Sequence, residues 1–243
     1  MTRFFVDNSE ICKDFIVLTG ENAAHAKVLR LKSGEQVVVC DGNGTECVCT
    51  ISDVSAGQIS LVVNHKYSSE TEPVVQVSVY MAYAKGDKLE HVIQKATELG
   101  AFEIVAFPAA RCVSKPDSGS IRKKLDRWQK IAEAAAEQSG RGYIPRVLAM
   151  NSYQEALMRG AKSDVAILFY ENEQGLTLHN VLDEKEYRTV SVLTGPEGGL
   201  ETREVQQATD EGFRICTLGK RILRCETAPL CAVSAIMFHS GEF

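Results

Sequence analysis

The chain changes rhythm once. Before residue 67 its apolar residues alternate or recur in short runs, and after residue 73 short apolar runs are followed by longer helical patterns. Between them, Tyr67-Ser68-Ser69-Glu70-Thr71-Glu72-Pro73 is polar, aperiodic and closed by a proline, which is the composition of a linker. One change of period in 243 residues implies two domains. They are expected at residues 1–70 and 74–243.

The first part reads as β-rich. Residues 14–19 form a short apolar run, and residues 21–31 carry Ala24, Val28 and Leu31 at helical spacing. Residues 35–41 and 45–54 alternate on either side of Gly42-Asn43-Gly44, which predicts a hairpin. Residues 57–66 supply a further strand. These pieces predict a small barrel-like β-domain. The second part reads as strands at 74–83, 103–107, 164–169, 189–194 and 213–218. Helices are expected at 87–99, 118–139, 201–212 and 226–239. This alternation predicts an α/β domain with an open, largely parallel sheet and helices on both faces.

Charge enters the argument through its distribution. The chain holds 27 Lys and Arg against 32 Asp and Glu, a net −5, so a diffuse basic surface is excluded. Residues 111–146, however, carry nine cations (Arg111, Lys115, Arg122, Lys123, Lys124, Arg127, Lys130, Arg141 and Arg146) against four acids. A confined basic region of this kind suits an anionic partner. A solvated helix face is the plain alternative for Arg122-Lys123-Lys124. With 44% hydrophobic residues there is enough apolar material for a core. No run reaches the roughly 18 apolar residues of a membrane span, so a cytoplasmic protein with no membrane partner is expected. The eight cysteines include no CxxC pair, so reduced thiols are expected and no metal.

Open parallel sheets bind ligands beyond the carboxyl ends of their strands. Two such ends are unusual here. Leu193-Thr194-Gly195-Pro196-Glu197-Gly198-Gly199-Leu200 follows a strand and precedes a helix. It has neither the lysine of a P-loop nor the GxGxxG of a dinucleotide site. Its glycines let backbone N–H groups approach a ligand, although a tight strand–helix turn explains them equally. Leu218-Gly219-Lys220-Arg221-Ile222-Leu223-Arg224-Cys225-Glu226-Thr227-Ala228-Pro229 has the same setting. Helix capping accounts for Glu226 or Thr227, but not for Arg221 and Arg224 among apolar residues.

Together these two segments resemble the second and third motifs of the SPOUT methyltransferases. Lys85-Gly86-Asp87-Lys88-Leu89-Glu90 with Gln94-Lys95-Ala96-Thr97-Glu98-Leu99-Gly100 resembles the RsmE family within them, as does Arg127-Trp128-Gln129-Lys130-Ile131 running into Glu133-Ala134-Ala135-Ala136-Glu137-Gln138-Ser139-Gly140-Arg141. His25-Ala26-Lys27-Val28-Leu29-Arg30-Leu31-Lys32-Ser33-Gly34-Glu35 is similar to the family's N-terminal PUA-like domain. The resemblance covers nearly the whole chain. One departure is Cys225, where the family usually has Thr.

The resemblance implies a C-terminal trefoil knot, an exception to the rule against knots. It further implies S-adenosyl-L-methionine as cofactor, methylation of N3 of a uridine in 16S rRNA of the small ribosomal subunit, and a homodimer. On that reading Leu193, Thr194, Gly195, Glu197, Gly199, Leu218, Gly219, Ile222, Leu223, Thr227 and Ala228 bind the cofactor. Arg224 stabilises charge on the uracil, and Glu197 or Glu226 acts as base or orienter. RNA contacts are expected from Arg3, His25, Arg30, Lys32, Arg111 and Arg141. His91, Gln94 and Glu98 share a helical stripe of uncertain purpose, and Trp128 is expected in packing. Two other readings fit the residues less well: a ribose 2′-O-methyltransferase, and a non-catalytic RNA-binding assembly factor.

Overall fold

The computed structural model describes residues 1–113, 116 and 118–243. The chain divides into two compact units. The first is Met1–Glu72 together with Ala136–Ile144, and the second is Pro73–Ala135 together with Pro145–Phe243.

The first unit holds β1 (Thr2–Phe5), α1 (Asn8–Ile11), β2 (Phe15–Leu18), α2 (Gly20–Val28), β3 (Gln36–Cys40), β4 (Thr45–Ser55) and β5 (Gln58–Ser68). The five strands form one sheet in the order β1-β3-β4-β5-β2. β3 and β4 make the expected hairpin, with Cys40 opposite Glu46. Its turn is fixed by the Asp41 carboxylate, which accepts from the amides of Asn43 and Thr45 at 2.8 and 3.0 Å. Gly42 and Gly44 sit at φ +71° and +98°, where a side chain would be strained. Phe4, Ile16, Leu18, Val37, Val39, Cys47, Cys49, Ile51, Ile59 and Leu61 make the core.

Three expectations about this unit need correction. β1 was not foreseen, because four residues give no measurable period. β5 runs on to Ser68, so the expected linker is shorter than residues 67–73; Tyr67 pairs with Glu46 and Ser68 with Thr45. Residues 136–144 also pack here rather than with residues 74–243. The cause is Glu72, whose Oε1 accepts from the amides of Gly142 and Tyr143 at 3.0 and 3.1 Å and whose Oε2 accepts from Arg141 Nη2 at 2.6 Å. Ile144 donates its amide to the Gly42 carbonyl.

The second unit alternates strands and helices: β6 (Gln76–Ala82), α3 (Lys88–Glu98), β7 (Glu103–Phe107), α4 (Ser118–Ser139), β8 (Arg146–Ala149), α5 (Tyr153–Gly160), β9 (Val165–Phe169), α6 (Leu178–Leu182), β10 (Thr189–Thr194), α7 (Thr202–Asp210), β11 (Arg214–Cys216) and α8 (Thr227–His239); β8, α5 and α6 are additions to the expected set. The last turn of α4 belongs to the first unit. The six strands are all parallel, in the order β11-β9-β10-β6-β7-β8.

Strand alternation builds two cores on the two faces of this sheet. Val77, Val79, Met81, Ile104, Ile167, Val190 and Val192 face α3, α4, α6 and α8, with Trp128 packed among them. Tyr80, Ala82, Val105, Phe107, Ala166, Leu168 and Leu193 face α5 and α7. Burial on both faces explains why β7 and β9 read as unbroken apolar runs. The turn into α5 is capped by the Ser152 hydroxyl, which accepts the Glu155 amide at 3.1 Å. Ser152→Ala is expected to cost about 1 kcal/mol of stability, read by chemical denaturation. A cost near zero would show that water replaces the cap. Among the described residues no helix is long and apolar enough to cross a membrane.

Candidate active site

The strand order places the site. From β6 the sheet grows outward through β7 and β8 on one side, and through β10, β9 and β11 on the other. Loops at the carboxyl ends near such a reversal open away from each other and leave a crevice. A cleft of about 530 Å³ lies there. Its walls are Phe169–Glu171 after β9, Thr194–Leu200 after β10 and Thr217–Cys225 after β11, with Lys88 and Ala228 at its edge. The loops after β10 and β11 thus share one cleft although β9 separates their strands in the sheet.

Backbone conformation shapes the β10 loop. Gly199 has φ +68°, and a Cβ there would lie 2.3 Å from Glu171 Oε1. At Gly195 a Cβ would lie 3.0 Å from Leu200 Cγ. Both glycines are demanded by close approach. The loop is braced from three sides. Arg111 Nη1 donates to the Gly198 carbonyl at 2.9 Å. Glu197 Oε1 accepts from the Lys85 amide at 2.9 Å and from Lys88 Nζ at 3.0 Å. The buried Glu204 carboxylate accepts from the amides of Ala110 and Glu201, both near 2.8–2.9 Å.

Electrostatics distinguish the acids. Partial burial pushes the Glu197 carboxyl up, but hydrogen bonds from backbone amides and Lys88 outweigh it and hold it below the usual range. Glu226 is also held low, chiefly by a backbone hydrogen bond. It accepts from Cys225 Sγ at 3.2 Å and lies 3.8 Å from Lys88 Nζ. Burial and this contact push the Cys225 thiol up to about 12. The thiol therefore replaces a hydroxyl donor with a weaker one rather than adding a nucleophile. Arg224 is exposed on the cleft wall.

Ten of the residues expected here line the cleft: Thr194, Gly195, Glu197, Gly199, Leu218, Gly219, Ile222, Leu223, Arg224 and Ala228. Leu193 does not; it is fully buried in the core beneath α5 and α7, because alternation along β10 turns it to that face. Glu226 and Thr227 stand at the start of α8, just behind the wall. Thr194 is buried, and its hydroxyl donates to the Tyr80 carbonyl at 3.4 Å. Sequence reasoning missed Phe169, Tyr170 and Glu171. Their signal was available, since they end a buried strand of a parallel sheet.

The expected RNA contacts separate into free and engaged cations. Arg30 and Lys32 are exposed, Arg30 at φ +56°. Arg141 is not available: it is 4% exposed and held by Glu72. Arg3 is mostly buried, donating to Glu46 at 2.8 Å and to Cys40 Sγ at 2.7 Å. His25 pairs with Glu137 at 3.0 Å. Arg111 is exposed and donates from Nη1 to the Gly198 carbonyl, and Arg127, 69% exposed, pairs with Glu90. Of the basic segment, Lys115 and its neighbour Asp117 lie outside the described residues. All eight cysteines are free thiols.

Comparison with known proteins supplies the context. The RNA methyltransferase domain family matches residues 70–237, and the RNA methyltransferase PUA domain family matches residues 18–64. The ribosomal RNA small subunit methyltransferase E of Bacillus subtilis (strain 168) is 40% identical over 252 residues, covering 99% of this chain and 97% of that protein. Its namesake in Mycobacterium tuberculosis is 32% identical, covering 96% and 90%. Among solved structures, the Neisseria gonorrhoeae ribosomal RNA small subunit methyltransferase E bound to S-adenosyl methionine superposes with a TM-score of 0.89 at 30% identity, covering 98% of each chain. A Legionella pneumophila methyltransferase in complex with bound SAM gives 0.86 at 27% identity, covering 98% and 97%.

Proposed function

We propose a function on one premise: the chain belongs to the ribosomal RNA small subunit methyltransferase E family. It transfers a methyl group from S-adenosyl-L-methionine to N3 of a uridine in 16S rRNA of the small ribosomal subunit, in the cytoplasm. The observation that carries this is the cleft at the carboxyl ends of β9, β10 and β11, lined by a glycine loop whose backbone lies close against Glu171 and Leu200.

The residues fit the cofactor. The volume lies within the roughly 300–1,000 Å³ of small-molecule sites. Phe169, Leu218, Ile222 and Leu223 give apolar wall, and the backbone of residues 194–200 approaches without side chains at Gly195, Gly198 and Gly199. Lys220 and Arg221 give exposed cations for a carboxylate or for RNA. Bound there, the sulfonium supplies an activated methyl group for in-line displacement, so the chain's task is orientation and electrostatics.

The uracil N3–H is a weak acid, and its removal spreads negative charge onto O2 and O4. Arg224 stabilises that charge. Glu197 and Glu226 are poor candidates for a strong base, because both are held below the usual carboxylate range and are already hydrogen-bonded. Glu197 acts instead as the orienter that ties the glycine loop to the start of α3. Arg224→Ala is expected to lower kcat by about 10²–10³, the usual cost of one such donor, while cofactor affinity and thermal midpoint hold. Unchanged turnover under saturating RNA and cofactor would remove Arg224 from the reaction. RNA contact in the first unit falls to Arg30 and Lys32, the exposed cations of that set.

The same membership brings a C-terminal trefoil knot, in keeping with two loops from non-adjacent strands lining one cleft. It also brings a homodimer. Helix α8 supports that reading: Ala232, Val233, Ile236 and Met237 are buried within the chain, yet Phe238 is 73% exposed and Cys231 is exposed as well. A helix apolar on all sides is one that needs cover on all sides.

A further inference from the structure

The far end of α8 carries a constellation that methyl transfer does not use. His179 and Asp183 lie one turn apart at the start and end of α6, and His239 closes α8. His239 Nε2 lies 2.9 Å from Asp183 Oδ1, and His179 Nε2 lies 3.2 Å from Asp183 Oδ2. One donor atom from each of the three residues falls within 4.8 Å of the others. Helical rise of about 1.5 Å per residue puts His239 roughly 18 Å along α8 from Thr227, well away from the cleft.

We propose that His179, Asp183 and His239 form a three-ligand site for a divalent transition metal of the zinc class, with one position open to water. Two imidazoles and a carboxylate are a donor set that zinc accepts, and spacing of i, i+4 on one helix presents two donors to one ion. Bond lengths of about 2.0–2.2 Å imply ligand–ligand edges of about 3.4 Å in a tetrahedron. The two printed separations, 2.9 and 3.2 Å, lie a little below that value, so rotations of the side chains would be needed to open the site.

A further contact points the same way. His239 Nδ1 lies 2.7 Å from Tyr187 Oη, and the two rings stack with centroids 6.0 Å apart. On metal binding Nε2 would give up the proton it shares with Asp183 Oδ1 at 2.9 Å, while Nδ1 donates to Tyr187 Oη. Outer hydrogen bonds of this kind fix tautomer and ring angle in metal-ligating histidines. A hollow lined by Val74, Asp164, Leu182, Lys185 and Arg188 among others reaches Asp183 and His239. Cysteine spacing, which argued against a metal, has no bearing on a histidine–carboxylate set. Bound metal would pin the last turn of α8 to α6.

The test uses the full chain after removal of metals by a chelator. ZnCl2 is titrated by calorimetry, and CoCl2 is followed by its visible absorption. The expected result is one equivalent of Zn2+ per chain, a Co2+ spectrum of tetrahedral type without thiolate charge-transfer bands, and a rise in thermal midpoint with Zn2+. His179→Ala, at a side chain 75% exposed, should keep the fold and lose all three signals. Tyr187→Phe should weaken binding about tenfold or more, and His65→Ala should change nothing. Absence of Zn2+ binding by the unaltered chain overturns the site. So does binding that survives His179→Ala and His239→Ala alike, or Co2+ spectra that mark thiolate ligands.

Discussion

Glu72→Gln will lower the stability of the first unit by about 2 kcal/mol, the scale of a hydrogen bond to a charged group. Arg141 is 4% exposed, and Glu72 takes its guanidinium at 2.6 and 3.2 Å. Glutamine keeps an oxygen for the Gly142 and Tyr143 amides, where Glu72 Oε1 now sits at 3.0 and 3.1 Å. Its NH2 group must then face the guanidinium, donor against donor. Shape is preserved and only the charge pairing is lost, which isolates the electrostatic part. Arg127→Ala is the contrast. That side chain is 69% exposed beside Glu90, and exposed pairs contribute about 0–1 kcal/mol. Denaturant titration measures both, and hydrogen exchange at the amides of Gly142 and Tyr143 locates the loosening. Equal costs for the two variants would mean that water reaches Arg141 and that Glu72 does not anchor residues 136–144.

The same anchor shows where sequence reasoning stops. Arg141 follows a helix and stands between two glycines, a setting that suits phosphate contact. Its partner lies 69 residues away, and no local pattern announces a contact of that range. Arg3 with Glu46, and Arg111 with the Gly198 carbonyl, are of the same kind. Cations were legible as residues, but whether each was free or spent was not. By contrast, the parallel sheet followed from apolar runs alternating with helical periods, because burial on both faces leaves a strong mark on composition. Some misses were avoidable. Ser152 with Glu155 is a capping signal that announces α5, and the phase of β10 places Leu193 opposite Val190 and Val192. The cleft itself was half legible. The loops after β10 and β11 stood out through glycines and cations, whereas Phe169–Glu171 carry no such flag and enter only through topology.

Gly199→Ala will weaken S-adenosyl-L-methionine binding by at least tenfold while the chain remains folded. Two costs act at this position, and they separate. At φ +68° an L side chain costs about 1–2 kcal/mol of stability, in the free and the cofactor-bound chain alike, so this cost lowers the thermal midpoint rather than the affinity. A Cβ would also meet Glu171 Oε1 at 2.3 Å. That atom ends a flexible, exposed side chain on the cleft wall, which must move when the Cβ is added and so reshapes that wall. The double variant Gly199→Ala with Glu171→Ala should therefore recover the affinity while keeping the lowered thermal midpoint. Gly212→Ala supplies the control. It has φ +88° with open space around its would-be Cβ, so it should lower the thermal midpoint and leave affinity untouched. Calorimetric titration of the cofactor into all four proteins reads the result. If Gly199→Ala bound as tightly as the unaltered chain, the glycine would serve only the turn, and close backbone approach to the cofactor would be wrong. If the double variant recovered nothing, Glu171 would make a favourable contact with the cofactor that outweighs the relief of the clash.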